Sequence, residues 1–371
     1  MAQGYLGFKQ NQELEVVGEE YFDMLAMCSF FLDFIKDDGD NIIACKMHDI
    51  VHDFAQFLVK NECFTMGTSS DGESSCSYGN AHHLKMTLED EQASFPTNIF
   101  KLRSLFVEWS FEDSSSLDYL RGSLEIRGLG YVRDGAEAKN ANLRSKKYLL
   151  HLELYFDYRS EASSTEVSTK DEAVLEALHP TPNLEKLVLN GYRGITMSFD
   201  WMGSLTQLKK LTLEDCINCE YLPPLGKLPM LQTLEVRGMR GLKRVGNEFL
   251  GIKNNDSSSS SSSLIFFPKL NRLFFNKLEN LVDWEYEITK DIAIMPCLSY
   301  CEIDHCPKLK ALPNHFLQAT SLKGLDISDC PVLKQWAEIY HHLPITSYCE
   351  KRRHFLETQR RALEFLRQLT I

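Results

Sequence analysis

Three groups of residues in this 371-residue chain carry side chains and spacings that could do chemistry. His48-Asp49-Ile50-Val51-His52 reads H-D-x-x-H. On a helix two histidines four apart share a face and could hold zinc, with Asp49 in place of the usual glutamate base. Aspartate is one methylene shorter and no third ligand is identifiable, so a metal-dependent hydrolase is not expected. Cys297, Cys301, His305 and Cys306 form the second group, and Cys216-x-x-Cys219 the third. Their spacing suggests a metal site, yet Cys216, Cys301 and Cys306 fall on structural slots of a repeat, so core thiols are expected. No Ser/His/Asp grouping has a local signature of nucleophilic catalysis. The expectation is a non-enzyme with no metal.

Composition narrows the classes further. About 43% of residues are apolar, enough for a sizeable core. A formal charge of −12 argues against work on phosphates, which needs clustered Lys and Arg. The 11 cysteines form no paired framework. No basic start and apolar run marks a signal peptide, and no apolar stretch reaches the roughly 18 residues of a membrane span. A cytoplasmic, reduced protein is expected.

The elements that position these groups fall into two textures. Residues 1–66 read as helix (Glu19 to Ser29), strand (Phe30 to Ile35), tight turn (Asp37 to Asp40), strand (Ile42 to Met47) and helix (His48 to Lys60). In the last helix Ile50, Val51, Phe54, Phe57 and Leu58 share one face. That order is the trailing part of a winged-helix domain. DNA binding is not expected, because the segment has four lysines against twelve acidic residues. Residues 67–80, rich in Ser and Gly, read as a linker.

From residue 81 to 336 the pattern L-x-x-L-x-L-x-x-(C/N) recurs. It runs through Leu184/Leu187/Leu189, Leu208/Leu211/Leu213, Leu231/Leu234/Val236, Leu270/Leu273/Phe275, Leu298/Cys301/Ile303 and Leu322/Leu325/Ile327. Cys216, Cys306 and Cys330 close three of these units. Earlier units are Leu102/Leu105/Val107 and Leu149/Leu152/Leu154. Steps from Leu184 onward are 24, 23, 39, 28 and 24 residues. Each unit lays one strand beside the last, and none could bury its apolar face alone. The fold expected is α/β, a leucine-rich-repeat solenoid (horseshoe) behind the winged-helix segment. The 39-residue step holds a serine tract, residues 254–263, expected to loop out as disordered chain. Between Glu112 and Lys147 the repeat is expected to fail, with Leu120, Leu124, Ile126 and Leu129 out of register and Ala136 to Ser145 helical. Residues 337–371 are expected to form a helical cap or tail.

Strand side chains alternate, so repeat positions 3, 5 and 7 point away from the core. They give three rows: Lys186, Lys210, Thr233, Arg272 and Tyr300; Val188, Thr212, Glu235, Phe274 and Glu302; Asn190, Glu214, Arg237, Asn276 and Asp304. Aromatic and Arg side chains of this kind anchor protein interfaces. The concave face is therefore the candidate for protein recognition.

Met47-His48-Asp49, with Val51-His52-Asp53 and Ala55-Gln56 ahead of the repeats, resembles the coiled-coil class of plant nucleotide-binding (NB-ARC) leucine-rich-repeat disease-resistance proteins. Gly18-Glu19-Glu20-Tyr21-Phe22, Leu120 to Ile126, Cys219 to Pro229 and Val245 to Phe249 carry the same resemblance, which covers residues 1 to 335. It implies that His48, completed by Met47 and Asp49, contacts the β-phosphate of ADP at the end of a nucleotide switch. The chain departs from the pattern in holding no G-x-x-x-x-G-K-[S/T] loop; its one Gly-Lys pair, Gly226-Lys227, precedes Leu228. No cofactor is therefore expected for this chain alone, and ADP or ATP only beside a complete nucleotide-binding domain, in cis or in trans. The resemblance implies a truncated immune receptor whose partner is a pathogen effector or a guarded host protein. A leucine-rich-repeat adaptor, such as a ubiquitin-ligase substrate receptor, is the alternative, and Met47-His48-Asp49 opposes it.

Overall fold

A computed structural model of the chain describes residues 14–36, 42–59, 63–66, 81–87, 102–108, 120–156, 165–197, 200–252, 264–286, 292–318, 321–339 and 345–346. The linker, the serine tract, the Asp37–Asp40 turn and the segment from 347 onward lie outside these residues.

At the N-terminal end, helix α1 (Leu14–Met27) leads into an antiparallel hairpin of β1 (Phe31–Lys36) and β2 (Ile42–Met47), followed by helix α2 (Asp49–Val59). Phe22 of α1 stacks on Phe31 at 5.0 Å between ring centroids. Helix, hairpin and helix follow the order expected from the sequence. The apolar face of α2 lies open: Ile50 and Phe57 are each 75% exposed, Phe54 and Leu58 nearly as much.

Among the described residues, the rest of the molecule is organised by a parallel sheet of twelve strands. Ten lead in chain order: β3 (Cys63–Met66), β4 (His83–Thr87), β5 (Ser104–Glu108), β6 (Gly122–Arg127), β7 (Leu149–Tyr155), β8 (Lys186–Asn190), β9 (Lys210–Glu214), β10 (Thr233–Arg237), β13 (Arg272–Asn276) and β16 (Tyr300–Asp304). The last two are β17 (Gly324–Ser328) and β18 (Ile345–Thr346). Two short pairs lie off the sheet, β11 (Arg244–Val245) with β14 (Asp283–Trp284), and β12 (Leu264–Phe266) with β15 (Ile292–Ile294). Sheet membership begins at Cys63, ahead of the linker.

The leucine pattern causes this arrangement. Positions 1, 4 and 6 of every unit from Leu184 to Ile327 are buried and join one continuous core. Strand pairs match residue for residue: Leu234 lies opposite Leu211 on one side and Leu273 on the other. The 39-residue step leaves the β10–β13 register intact across five residues.

At position 8 the backbone turns through the left-handed region: Gly191, Asp215, Gly238, Lys277, His305 and Asp329 have φ between 46° and 74°. Each of the first five then donates its N–H to the last carbonyl of the next sheet strand, as from Asp215 to Arg237 (2.9 Å) and from Lys277 to Asp304 (3.0 Å). Glycine suits 238, where a Cβ would meet the Asp215 carboxylate and displace that side chain. At position 9 the buried thiols of Cys216, Cys306 and Cys330 each lie within hydrogen-bond reach of two carbonyls, one from their own strand and one from the preceding strand.

The expected failure of the repeat between Glu112 and Lys147 is corrected here. Strand β6 lies in the sheet, with Leu124 opposite both Leu105 and Leu152. Leu120 stands four residues before Leu124 instead of the usual three and is buried all the same; beside Gly122/Ser123 the pairing skips Leu150 of β7. The predicted helix at 136–145 is two pieces, α3 (Gly135–Lys139), capped by Asp134, and a 3-10 turn at Leu143–Ser145. Helix α4 (Thr165–Leu178) follows β7, burying Val174, Leu175 and Leu178. Short helices α5 (Asn247–Leu250) and α6 (Asn314–Gln318) follow β11 and β16, and α7 (Pro331–Glu338) follows β17.

Candidate recognition face

Strand alternation sends positions 3, 5 and 7 to the side of the sheet opposite the leucine core. The registers place Lys186, Lys210, Thr233, Arg272 and Tyr300 in one row across neighbouring strands. Val188, Thr212, Glu235, Phe274 and Glu302 form the second row, and Asn190, Glu214, Arg237, Asn276 and Asp304 the third. All three predicted rows are brought together.

The rows also extend beyond the predicted residues. Toward the N-terminal end they continue through His151, Glu153 and Tyr155 on β7 and Ser123, Glu125 and Arg127 on β6. Toward the other end Asp326 follows Glu302. The signal for these positions was the same alternation, applied to units whose leading leucine is displaced or stands apart from the regular run.

Most charges in the middle of the face are paired within it. Lys186 meets Glu153 at 2.7 Å and Lys210 meets Glu235 at 2.8 Å. The Thr212 hydroxyl donates to Glu235, and Asn190 donates to Glu214. Burial would raise the Glu153 carboxyl, but the Lys186 charge and hydrogen bonds from Lys186 and Tyr155 hold it below the usual range. Arg127 bonds Glu125 at 2.7 Å and lies over the Tyr155 ring at 4.2 Å, so its charge is held against an aromatic face.

The end of the face at β16 and β17 is different. Tyr300 donates to Glu302 (3.2 Å) and lies 3.3 Å from Asp326, and its ring tilts against Phe274 at 5.8 Å. Asn276 donates to Asp304. Burial, with Asp326 and Asp304 adding to it, raises the Glu302 carboxyl despite Tyr300 and Arg237. Burial, with Glu302 and Asp326 adding to it, pushes the Tyr300 phenol well above its ordinary range. Acid–acid repulsion here is the kind that a cationic group from outside would relieve.

His48 has a local structural role. It stands before the first residue of α2, its Nδ1 accepts the Ile50 N–H at 3.3 Å, and its carbonyl accepts the His52 N–H at 2.8 Å. Met47 ends β2 and Asp49 opens the helix, with its carboxylate 3.9 Å from Lys46. The imidazole thus caps a helix directly after the hairpin. Cys301 and Cys306 are buried in the core while Cys297 is exposed, so this group does not share one environment. Burial raises the Cys216, Cys219 and Cys301 thiols, against the thiolate a metal would need.

Comparison with known proteins fits both halves of this architecture. Residues 1–55 match the disease-resistance protein winged helix domain, and residues 101–239 match the R13L1/DRL21 leucine-rich repeats. The putative disease resistance RPP13-like protein 1 of Arabidopsis thaliana is 34% identical over 223 residues, 58% of this chain and 20% of that protein.

Both matched segments are of the plant disease-resistance type.

Further disease-resistance relatives come from Solanum bulbocastanum. The putative disease resistance protein RGA1 is 39% identical over 119 residues, 32% of this chain and 11% of its own length. Disease resistance protein RGA2 is 32% identical over 215 residues, 55% of this chain and 20% of its length. The chain thus spans about one-fifth or less of the length of these relatives. Each of these relatives is named for disease resistance. Among the described residues no helix is long and apolar enough to cross a membrane.

Proposed function

We propose that this chain is the recognition and restraining portion of an intracellular immune receptor, with no catalytic activity of its own. The sheet would curve as a horseshoe, its polar face concave, and that face would bind a pathogen effector or a modified host protein. The observation that carries this reading is the register of β6 to β17, which aligns Arg, aromatic and acidic side chains on one uninterrupted face. Ligand contact there would weaken packing between repeats and switch, shifting a resting equilibrium.

The compartment in this reading is the cytoplasm. His48 would contact the β-phosphate of ADP only beside a complete nucleotide-binding domain, since this chain holds no phosphate-cradling loop. The open apolar face of α2 is what such a domain would cover. Two tests apply. The isolated chain should show no saturable ADP binding at micromolar concentrations by calorimetry, and clear binding would overturn the incomplete-switch reading. In a panel of pathogen effectors and host proteins, a binder should lose affinity at least tenfold with Arg237→Ala, Arg272→Ala and Tyr300→Ala combined. The control is Lys308→Ala with Glu279→Ala, exposed residues outside the three rows. Equal losses in both variants, or no binder at all, would sink the recognition reading.

A further inference from the structure

Where β16 and β17 end, Asp304, His305 and Asp329 bring one nitrogen and two carboxylate oxygens together from adjacent repeats, these atoms all lying within 4.8 Å of one another. His305 Nδ1 lies 3.4 Å from Asp304 Oδ1 and 3.3 Å from Asp329 Oδ2. Both separations exceed the ~2.7–3.2 Å of an ordinary N–H···O hydrogen bond. These two match the edge of a tetrahedron whose bonds are ~2.0–2.2 Å, roughly 3.3–3.6 Å for zinc held by nitrogen and oxygen, and the two carboxylate oxygens, within 4.8 Å of each other, would close on the ion to complete it.

The protonation chemistry supports the same conclusion. In a neutral ring Nδ1 carries either a proton, which can serve one carboxylate well, or a lone pair, which two carboxylates repel. A cation on that lone pair satisfies all three groups. Asp304 is already oriented for this: its other oxygen, Oδ2, accepts from Asn276 Nδ2 at 3.2 Å, in the manner of a residue that holds a metal ligand in place. The repeat supplies the rest of the geometry. His305 and Asp329 occupy the same left-handed position 8 of successive units, so the turn that ends each strand aims both side chains to the same edge.

We propose that Asp304, His305 and Asp329 bind a divalent cation of the zinc class at the rim of the recognition face. Imidazole with two carboxylates suits zinc, and three protein ligands leave coordination open to water or to a donor from a partner. The inference does not rest on the recognition reading. The competing account is an imidazolium shared between the two carboxylates, which takes up no metal.

The test is a cobalt titration of the full chain, stripped of metal and kept reduced with a non-chelating phosphine, followed by displacement with zinc. The proposal expects one saturable equivalent with visible absorption of nitrogen and oxygen coordination and no sulfur-to-cobalt charge-transfer band. His305→Asn and Asp329→Asn should each remove that equivalent, whereas Cys297→Ser should keep it. Asparagine tolerates the left-handed backbone, so these variants keep the fold, and unchanged melting of the metal-free proteins verifies it. No saturable equivalent, an equivalent that survives His305→Asn, or one whose spectrum is that of thiolate coordination would overturn the proposal.

Discussion

At the residue scale the histidines show how far environment separates chemically identical groups. His48 caps a helix and His305 stands among carboxylates. His315, on α6, packs against Tyr286 and Phe316, with neither ring nitrogen hydrogen-bonded among the described residues. Burial lowers the His315 pKa to about 4 from an ordinary 6.5. The folded chain therefore keeps this ring neutral while the unfolded chain takes a proton below about pH 6.5. Its contribution to stability is fully present above pH 6.5 and is lost as the pH falls through about 4. The loss approaches about 3 kcal/mol. The stability difference between wild type and His315→Phe, followed by denaturant unfolding from pH 7 to pH 4, should shift in favour of the variant across that window; a constant difference would show that the ring titrates in the fold as it does in the unfolded chain. None of this was legible in the sequence, where His315 stands one residue from an ordinary Phe316. The position-9 thiols were legible, because the repeat itself assigns them to the core.

At the scale of elements, one strand carries both the stabilising and the recognising side chains in alternation. Leu273 on β13 is fully buried between Leu234 and Cys301, whereas Phe274 faces the other way. Leu273→Ala should cost about 3 kcal/mol of stability through lost burial and the cavity left behind. Phe274→Ala should cost about 1 kcal/mol or less, with its effect on partner binding instead. Urea unfolding of the two variants checks the contrast, and equal losses would mean that the row assignment on β13 is wrong. The period-2 alternation made these assignments readable before any coordinates. It failed at β6, since Leu120 stands four residues before Leu124 instead of three, while Leu124 and Ile126 keep their slots. Helix α4 was missed because its buried residues, Val174, Leu175 and Leu178, cluster in the last turns and leave no long periodic signal. In α2 the periodicity gave the apolar side correctly, but Ile50, Phe54 and Phe57 are exposed. A pattern identifies a face that wants cover; it does not supply the cover.

At the scale of the whole molecule, stability is a sum over units and their nearest neighbours, as in other repeat arrays. The position-8 turns give that coupling a concrete form, since those from Gly191 to His305 each donate one hydrogen bond forward to the next strand. Crossover length between strands is then nearly free to vary, because extending a loop costs only a fraction of a kcal/mol per residue. Shortening the chain by removal of Ser257–Ser263 should leave the melting temperature within about 2 °C and partner binding unchanged; a larger fall would assign the tract a packing role. The regular sheet also sets a ruler. Paired strands repeat at ~4.8 Å, so Arg127 on β6 and Glu302 on β16, six strand steps apart, are separated by roughly 29 Å along the sheet. A short peptide cannot reach the cation-bearing aromatic patch and the acidic end together. The molecule measures its partner by span as well as by charge, and only a folded protein surface or a long extended segment can satisfy both ends at once.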